Sequence, residues 1–375
     1  MKNMRKALRA PAHELVFTRK NLSRPFVSVL IDTYNHEKFI EQAITSVLEQ
    51  DFPASDWEII VVDDGSTDRT PEIVARFEPQ VRLLRKQNGG QASAFNLGIP
   101  QCRGEIIAFL DGDDWWTKDK LSEIIPVFEA NPDIGGVGHG CLMVDTAGNL
   151  LTTTAPDKTY RLGVKSVADA RLYAQLRCFF GTSKVAYRKS QLDRVLPIPE
   201  AAIIEADEFL FTTIPCLADV IALEQSLFYY RLHGENNFMA GGSSEKRMRR
   251  KYDSLVCLNR TLPAKIKSLS VPDEIAEVLL APLANEVEMM RLQLDGGSRW
   301  DVVRAERTAY RLGYSHRPLG YRLFKQLAFA TALLLPPKSF FRLKNWYSRS
   351  SLRKLRKRMG EPTPAAPIVG EMPTK

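Results

Sequence analysis

Glu105-Ile-Ile-Ala-Phe-Leu110 runs without a break into Asp111-Gly-Asp-Asp114. Five consecutive apolar residues of strand-forming type read as a strand buried on both faces, closed by three carboxylates. The same form occurs twice upstream. Val27-Ser-Val-Leu-Ile31 leads into Asp32-Thr-Tyr-Asn35, and Trp57-Glu-Ile-Ile-Val-Val62 leads into Asp63-Asp-Gly-Ser-Thr-Asp68. Val81-Arg-Leu-Leu84 adds a further strand. Between them Phe39, Ile40, Ala43, Ile44, Val47 and Leu48 share one helical face. Asp68, Thr70 and Pro71 start another helix, and Gln91 to Ile99 and Thr117 to Glu129 give two more. Apolar strands alternating with helices predict a parallel sheet covered on both faces. Ligands of such sheets lie outside the carboxyl ends of the strands, so the loops at 32–35, 63–68 and 111–114 are expected to share a site.

Beyond residue 135 the pattern changes. Gly135 to Asp145, a turn at Ala147-Gly148 and Leu150 to Thr154 read as antiparallel strands. Helices are expected over 166–177 and 205–217, with a Tyr-rich strand over 226–232. Gly241-Gly-Ser-Ser244 reads as a flexible joint, 245–360 as successive helices, and the Pro-rich end as disordered. The expected organisation is a basic tail over 1–24, an α/β domain over 25–240 (halves 25–130 and 131–240), a helical basic, amphipathic extension over 241–360 and a disordered tail over 361–375.

The 375 residues carry 52 Lys and Arg against 44 Asp and Glu, a net charge of +8. This charge is concentrated at two places. Residues 1–24 hold seven basic residues and one acidic, and 322–358 hold eleven basic and none acidic. The remainder is therefore net acidic, which weakens any reading as a nucleic-acid binder, and no recognition motif for nucleic acid appears. An apolar share of 44% excludes a disordered chain. No apolar run approaches the ~20 residues of a membrane span. The five cysteines are scattered, with no Cys-x-x-Cys pair, which argues against a disulfide framework or zinc site. The basic N-terminus lacks the apolar core of a secretory leader, so a cytoplasmic setting is expected.

Carboxylates packed as closely as Asp111, Asp113 and Asp114 repel unless a cation compensates them. Mg²⁺ or Mn²⁺ does so with one or two carboxylates plus substrate phosphates. The alternative is a solvated acidic turn capping the next helix. Asp64 should arrive at the same sheet edge, where its carboxylate could accept an N–H from a base such as uracil; the alternative there is local N-capping by Asp63 or Ser66.

Four segments in order carry a resemblance: Val27 to Asn35, Ile60 to Asp68, Asn88-Gly-Gly-Gln-Ala-Ser-Ala-Phe-Asn-Leu-Gly98, and Arg103 to Trp115. Together they resemble the nucleotide-binding half of glycosyltransferase family 2, the inverting enzymes of GT-A fold, over about a quarter of the chain. The resemblance implies an α/β fold with a Rossmann-like, mostly parallel sheet and a nucleotide-sugar donor, UDP-linked. It implies that Asp64 meets the base, that Thr33 and Tyr34 border the nucleotide, and that Asn88 and Asn96 flank the donor. Asp111-Gly-Asp113 matches the family's Asp-x-Asp motif, with Asp111 toward the ribose and Asp113 on a Mg²⁺ or Mn²⁺ ion bridging the diphosphate. Asp32 stands where the family commonly has Pro, and Gln91 where a small or aliphatic residue is commoner.

Glu205-Ala-Asp-Glu-Phe-Leu210 resembles the family's acidic motif; alignment on Leu210 makes Asp207 the base that takes the acceptor's proton. Glu205 and Glu208 compete for that role, and a solvated first helical turn is the alternative. Tyr229-Tyr-Arg-Leu-His233 resembles the family's closing segment, implying that His233 is a metal or diphosphate contact, aided by Arg231. Thr182 and Ser183 match a segment near the acceptor pocket. His36 receives no role, and Trp115 and Trp116 either wall the sugar site or pack on the sheet.

Aromatic and basic residues interleaved over 319–358 suit an anionic membrane surface, against the alternative of helices packed on the core with a solvated basic face. The expected activity is metal-dependent, inverting transfer from a nucleotide-sugar to a hydroxyl of a saccharide or lipid-linked acceptor. Cell-envelope or exopolysaccharide synthesis at the inner face of the cell membrane is its expected setting. The rival from another class is an inactive relative acting as a membrane-associated scaffold. A nucleotidyltransferase or a dehydrogenase would need a Gly-rich loop where Asp32-Thr-Tyr-Asn35 stands.

Overall fold

A computed structural model describes residues 26–233, 245–313 and 329–349. The tails at 1–24 and 361–375, the joint at 241–244, and the parts of the basic segment at 319–328 and 350–358 lie outside the described residues.

The first half of the described chain runs β1 (Val27–Thr33), α1 (Ile40–Leu48), β2 (Trp57–Asp63), α2 (Thr70–Ala75), β3 (Val81–Arg85), α3 (Gln91–Gln101), β4 (Ile106–Asp111), β5 (Trp115–Trp116) and α4 (Lys120–Ala130). It continues through β6 (Gly136–Val144), β7 (Leu150–Thr154), β8 (Tyr160–Leu162), α5 (Val167–Leu176), β9 (Val185–Arg188), α6 (Lys189–Val195), α7 (Ala206–Thr213) and β10 (Val220–Arg231). The helices α8 (Glu245–Ser268), α9 (Asp273–Leu294), α10 (Arg299–Gly313) and α11 (Pro337–Arg349) follow, with a helical stretch at 329–334 before the last.

The sheet order is β3-β2-β1-β4-β9-β6-β10-β5, with β7 on β6 and β8 on β10. The first four strands are parallel, as their apolar composition predicts. β9 is inserted antiparallel between β4 and β6, with Ala186 opposite both Ala108 and Val137. The strand expected over 226–232 starts earlier, at Val220, because the apolar Val220 to Leu223 also pairs with the sheet before an irregularity in its register. α7 begins after Glu205, which is left-handed (φ 63°), and a short 3-10 turn ends the helix expected to reach 217.

Alternation along the strands divides the core. Leu30, Ile60, Val62, Ile107 and Phe109 face α3 and the later helices, while Val29, Ile31, Ile59, Val61 and Leu110 face α1, α2 and α4. α3 lies close on the sheet at Gly98, where a Cβ would stand 2.6 Å from Leu30 Cδ1. Within the segment expected as an extension, Leu255, Leu258 and Leu262 of α8 and Ile275, Leu279 and Leu283 of α9 enter the first of these clusters. Val302, Ala332, Phe340 and Phe341 form a smaller cluster with Leu292. Among the described residues no helix is long and apolar enough to cross a membrane.

Register fixes what the strands deliver. Thr33 lies beside Asp63, and Asp32 beside Asp111, so the carboxyl ends of β1, β2 and β4 form one edge. α8 reaches that edge through Lys251, whose buried Nζ lies 3.0 Å from Glu205 and 3.2 Å from Glu286 of α9. Burial holds Glu205 above 4.5, at about 7, so folding favours its protonated form; that contribution is complete below the ordinary value and fades as pH rises through 7. Lys251→Ala leaves two partly buried carboxylates without their cation and is expected to destabilise by ~2–3 kcal/mol at pH 8. The loss should be smaller at pH 5, where Glu205 can hold a proton. Urea unfolding at the two pH values measures both; equal losses would mean that Glu205 does not titrate in the fold.

Candidate active site

A cavity of about 530 Å³ opens over the shared sheet edge. Thr33, Tyr34, Asp64, Asn88, Asp111, Asp113, Thr182, Asp207 and His233, nine of the residues singled out from sequence, line it.

Asp64 is nearly buried and organises the loop beside it. Its Oδ1 accepts Lys86 Nζ at 2.7 Å and the Gly89 N–H at 2.9 Å; its Oδ2 accepts the Gly90 N–H at 2.7 Å. Asn88 Nδ2 donates to the Asp64 carbonyl at 3.0 Å. Asp63 is fully buried and accepts from the Ser66 N–H and Arg85, which makes it the turn-forming member of the pair.

Asp111, Asp113 and Asp114 point different ways. Asp113 Oδ2 lies 2.9 Å from His233 Nε2 and 3.9 Å from His36 Nε2. Burial works against its charge, yet the two imidazoles hold it below the usual carboxylate value. Asp111 is pushed well above that value by burial and by its neighbours Asp32, Asp114 and Asp113. Asp114 turns inward, accepts the Arg231 N–H at 3.1 Å, and is raised by burial and by Asp113. Asp32 rises to about 7, chiefly through burial, and its Oδ1 is buried with no partner among the described residues.

Among the described residues no group of three His, Cys, Asp or Glu forms a ready-made metal cluster. The donors present nevertheless fit a cation completed by substrate. Asp113 and His233 present an oxygen and a nitrogen 2.9 Å apart, and the orphaned Asp32 oxygen stands in the same crowd of acids. Mg²⁺ typically takes one or two carboxylates and draws its other ligands from phosphates and water.

Across the cavity the three acids of the Glu205 to Glu208 turn separate by partner. Glu208 forms a two-pronged pair with Arg177 at 2.7 and 3.1 Å. Glu205 pairs with Lys251. Among the described residues Asp207 accepts only backbone N–H groups, from Thr182 at 3.1 Å and Glu208 at 3.0 Å. Burial raises its pKa, and these donors partly offset the rise.

Three expectations change. Asn96 does not reach the cavity: its amide is used on both sides by the backbone of Ile198, at 2.8 Å each. Ser183 is fully buried with φ 66°; its Oγ accepts the Asp111 N–H at 3.0 Å and faces Asp111 Oδ2 at 3.3 Å, so it supports an acid and is not part of an acceptor surface. Arg231 lies between the rings of Phe39 and Trp115 and donates to Gln42 and the Asp113 carbonyl. Trp115 stacks on Tyr229, and Trp116 is buried in the sheet.

Other residues emerge only in three dimensions. His36 reaches Asp113 because Thr33 and Thr70 hold its turn. Gln91 spans the cavity: Nε2 lies 3.2 Å from Asp111 and 3.4 Å from Asp32 and Thr182, and Oε1 accepts the Ala206 N–H. Its departure from the common residue type was the visible signal. Lys246, Arg247 and Arg250 of α8 also line the cavity.

The family profile described as Glycosyl transferase family 2 matches residues 28–193. The uncharacterized glycosyltransferase alr2836 of Nostoc sp. is 37% identical over 227 residues, covering 58% of this chain and 68% of that protein. The chain belongs to glycosyltransferase family 2. Poly(ribitol-phosphate) beta-N-acetylglucosaminyltransferase TarS of Staphylococcus aureus is 38% identical over 100 residues, 26% of this chain but only 18% of TarS. Among solved structures, TarS 1–349 in complex with UDP-GlcNAc has a TM-score of 0.57 at 19% identity, covering 85% of this chain and 92% of that one. The mannosyltransferase PcManGT of Pyrobaculum calidifontis, with GDP-Man and Mn²⁺, has a TM-score of 0.50 at 20% identity over 87% and 88% of the two chains. These likenesses establish the GT-A-like fold. The profile match includes Asp64, Asp111 and Asp113 and stops short of Asp207 and His233.

Gly90 ties the two sides of this glycosyltransferase site together. At φ 86° it donates to Asp64, and a Cβ there would stand 2.3 Å from the Ile203 carbonyl oxygen. Gly90→Ala is expected to cost ~1–3 kcal/mol of stability, read as a shift in urea midpoint. An unchanged midpoint would mean that the Gly90–Ile203 approach is not a constraint.

Proposed function

We propose that this family member is an inverting, metal-dependent enzyme that moves a sugar from a UDP-linked donor to a hydroxyl of a saccharide or lipid-linked acceptor, in cell-envelope or exopolysaccharide synthesis. The observation that carries the reading is the division of the cavity. Asp207, engaged among the described residues only by backbone N–H groups, lines the cavity together with a separate cluster of Asp111, Asp113 and His233.

In this reading Thr33, Tyr34, Asp64, Asn88 and Asp111 border the nucleotide, and Thr182 borders the acceptor. The UDP assignment draws support from the fold shared with TarS, whose structure holds UDP-GlcNAc. Asp113 and His233 would hold Mg²⁺ or Mn²⁺, which when bound supplies positive charge against the diphosphate. Asp207 takes the proton of the acceptor hydroxyl as that oxygen attacks the anomeric carbon. The bond from that carbon to the diphosphate oxygen breaks, the nucleoside diphosphate leaves with the electron pair, and configuration inverts. Burial raises Asp207 toward the working pH, which suits a carboxylate that must accept a proton. Glu205 and Glu208 are poorer bases because each is held by a cation, Lys251 and Arg177 respectively.

Asp207→Asn is expected to lower kcat by ~10²–10⁴-fold while leaving UDP affinity within about twofold. Asp113→Ala should abolish the Mn²⁺-dependent part of UDP binding measured by calorimetry. Full activity in the first variant, or unchanged Mn²⁺ dependence in the second, would refute the assignments.

A membrane surface is proposed as partner for the C-terminal helices. Trp300 is 66% exposed and Leu334 73% exposed, with Leu333 and Leu343 also outward. Arg299 donates to the Leu333 carbonyl, which brings α10 beside residues 329–334, and exposed Lys338 and Arg342 lie on α11. Apolar side chains ringed by cations suit an anionic bilayer at the inner face of the cell membrane. Vesicles containing phosphatidylglycerol should float the protein, vesicles of phosphatidylcholine alone should not, and Trp300→Ser with Leu334→Ser should release it. Equal flotation of variant and wild type would exclude this surface.

A further inference from the structure

α8 closes one side of the cavity. The Ile204 N–H meets Ser254 Oγ at 3.3 Å and Lys251 Nζ meets Glu205 at 3.0 Å, which seats the helix on the turn carrying Asp207. One turn earlier Lys246, Arg247 and Arg250 line the cavity beside Ile203, Ile204, Glu205 and Asp207. Cations in the first turns of a helix oppose its dipole, so helix stability does not explain them. For Lys246 and Arg250, pairing with the acids of the adjoining turn does not explain them either. Glu205 and Glu286 share Lys251, and Glu208 has Arg177. Among the described residues neither Lys246 nor Arg250 has an ion-pair partner.

The opposite wall holds Asp32, Asp111 and Asp113. An anionic acceptor entering there would be repelled unless its charge were met locally. We propose that Lys246, Arg247 and Arg250 select an acceptor bearing a phosphate group, holding the phosphate on the Asp207 side while its hydroxyl is presented to the base. This rests on the reading of Asp207 as base and of Asp113 with His233 as the diphosphate side. The guanidinium forks of Arg247 and Arg250 suit phosphate oxygens, and Lys246 adds a point charge. The donor's diphosphate is the other phosphate that could reach these cations, and the two sources separate experimentally.

The test is calorimetric titration of full-length protein saturated with UDP and Mn²⁺, using glucose 1-phosphate and methyl glucoside as a matched pair of probes. Wild type should bind the phosphate-bearing sugar in preference to the neutral one, and Lys246→Gln with Arg250→Gln should weaken that binding by about tenfold or more. UDP affinity should stay within about twofold in the same variant. Both side chains are exposed, and an unchanged urea midpoint confirms that the variant is folded. Equal binding of the two probes to wild type overturns the proposal, as does unaltered glucose 1-phosphate binding in the variant. A tenfold loss of UDP affinity assigns the cations to the donor and overturns it equally. Failure of wild type to bind UDP at all would instead remove the donor reading, and this inference with it.

Discussion

Carboxyl groups forced together at the end of a parallel sheet are the constraint on which the surrounding structure depends. Asp32 and Asp111 are register partners on adjacent strands, and Asp113 and Asp114 follow within one turn. Burial and mutual repulsion both oppose their ionisation. The chain meets this with several devices. Ser183 supports Asp111 from an adjoining loop, Gln91 reaches both Asp32 and Asp111, and two imidazoles stand at Asp113. Buried Lys120 lies 4.0 Å from the Trp116 ring centre and donates to the Ser183 carbonyl at 2.8 Å. The Lys120 charge is opposed by burial and supported by Asp114.

The edge itself could be read from sequence because it follows from local composition. Apolar strands ending in polar loops have one arrangement in a parallel sheet, and that arrangement brings the loops together. Asp64, Asp111 and Asp113 share the cavity for this reason. Asn96 and Ser183 show where the reading stops. Their partners, Ile198 and Asp111, lie far along the chain, and only the packing of α3 and β9 determines whether a polar side chain faces solvent or the backbone. Likewise the acids at 205, 207 and 208 are equivalent as letters. They differ once Lys251 and Arg177 have each taken one.

His36 received no role and Gln91 stood out only as an uncommon residue type, for a different reason. A histidine after a strand has no helical or alternating pattern to betray it, and its significance arises from a turn held by hydrogen bonds to Thr33 and Thr70. Gln91 stands at the start of α3, where its residue type was unusual but gave no hint of its reach, and its one amide touches both halves of the cavity. Long-range contacts of this kind are invisible to periodicity, which reports only which face of an element is buried.

The dependence runs outward to the C-terminal helices. α8 and α9 share a core with the sheet, and one charge that α8 brings is Lys251, placed where Glu205 would otherwise add a further negative charge beside Asp207. An uncompensated Glu205 would raise Asp207 further by like-charge repulsion. The backbone N–H groups of Thr182 and Glu208 pull in the other direction. The titration of Asp207 is thus shaped by burial, which raises it, and by two backbone N–H groups, Lys184 and Lys251, which lower it, the last of these delivered from a helix that the first half of the chain does not contain.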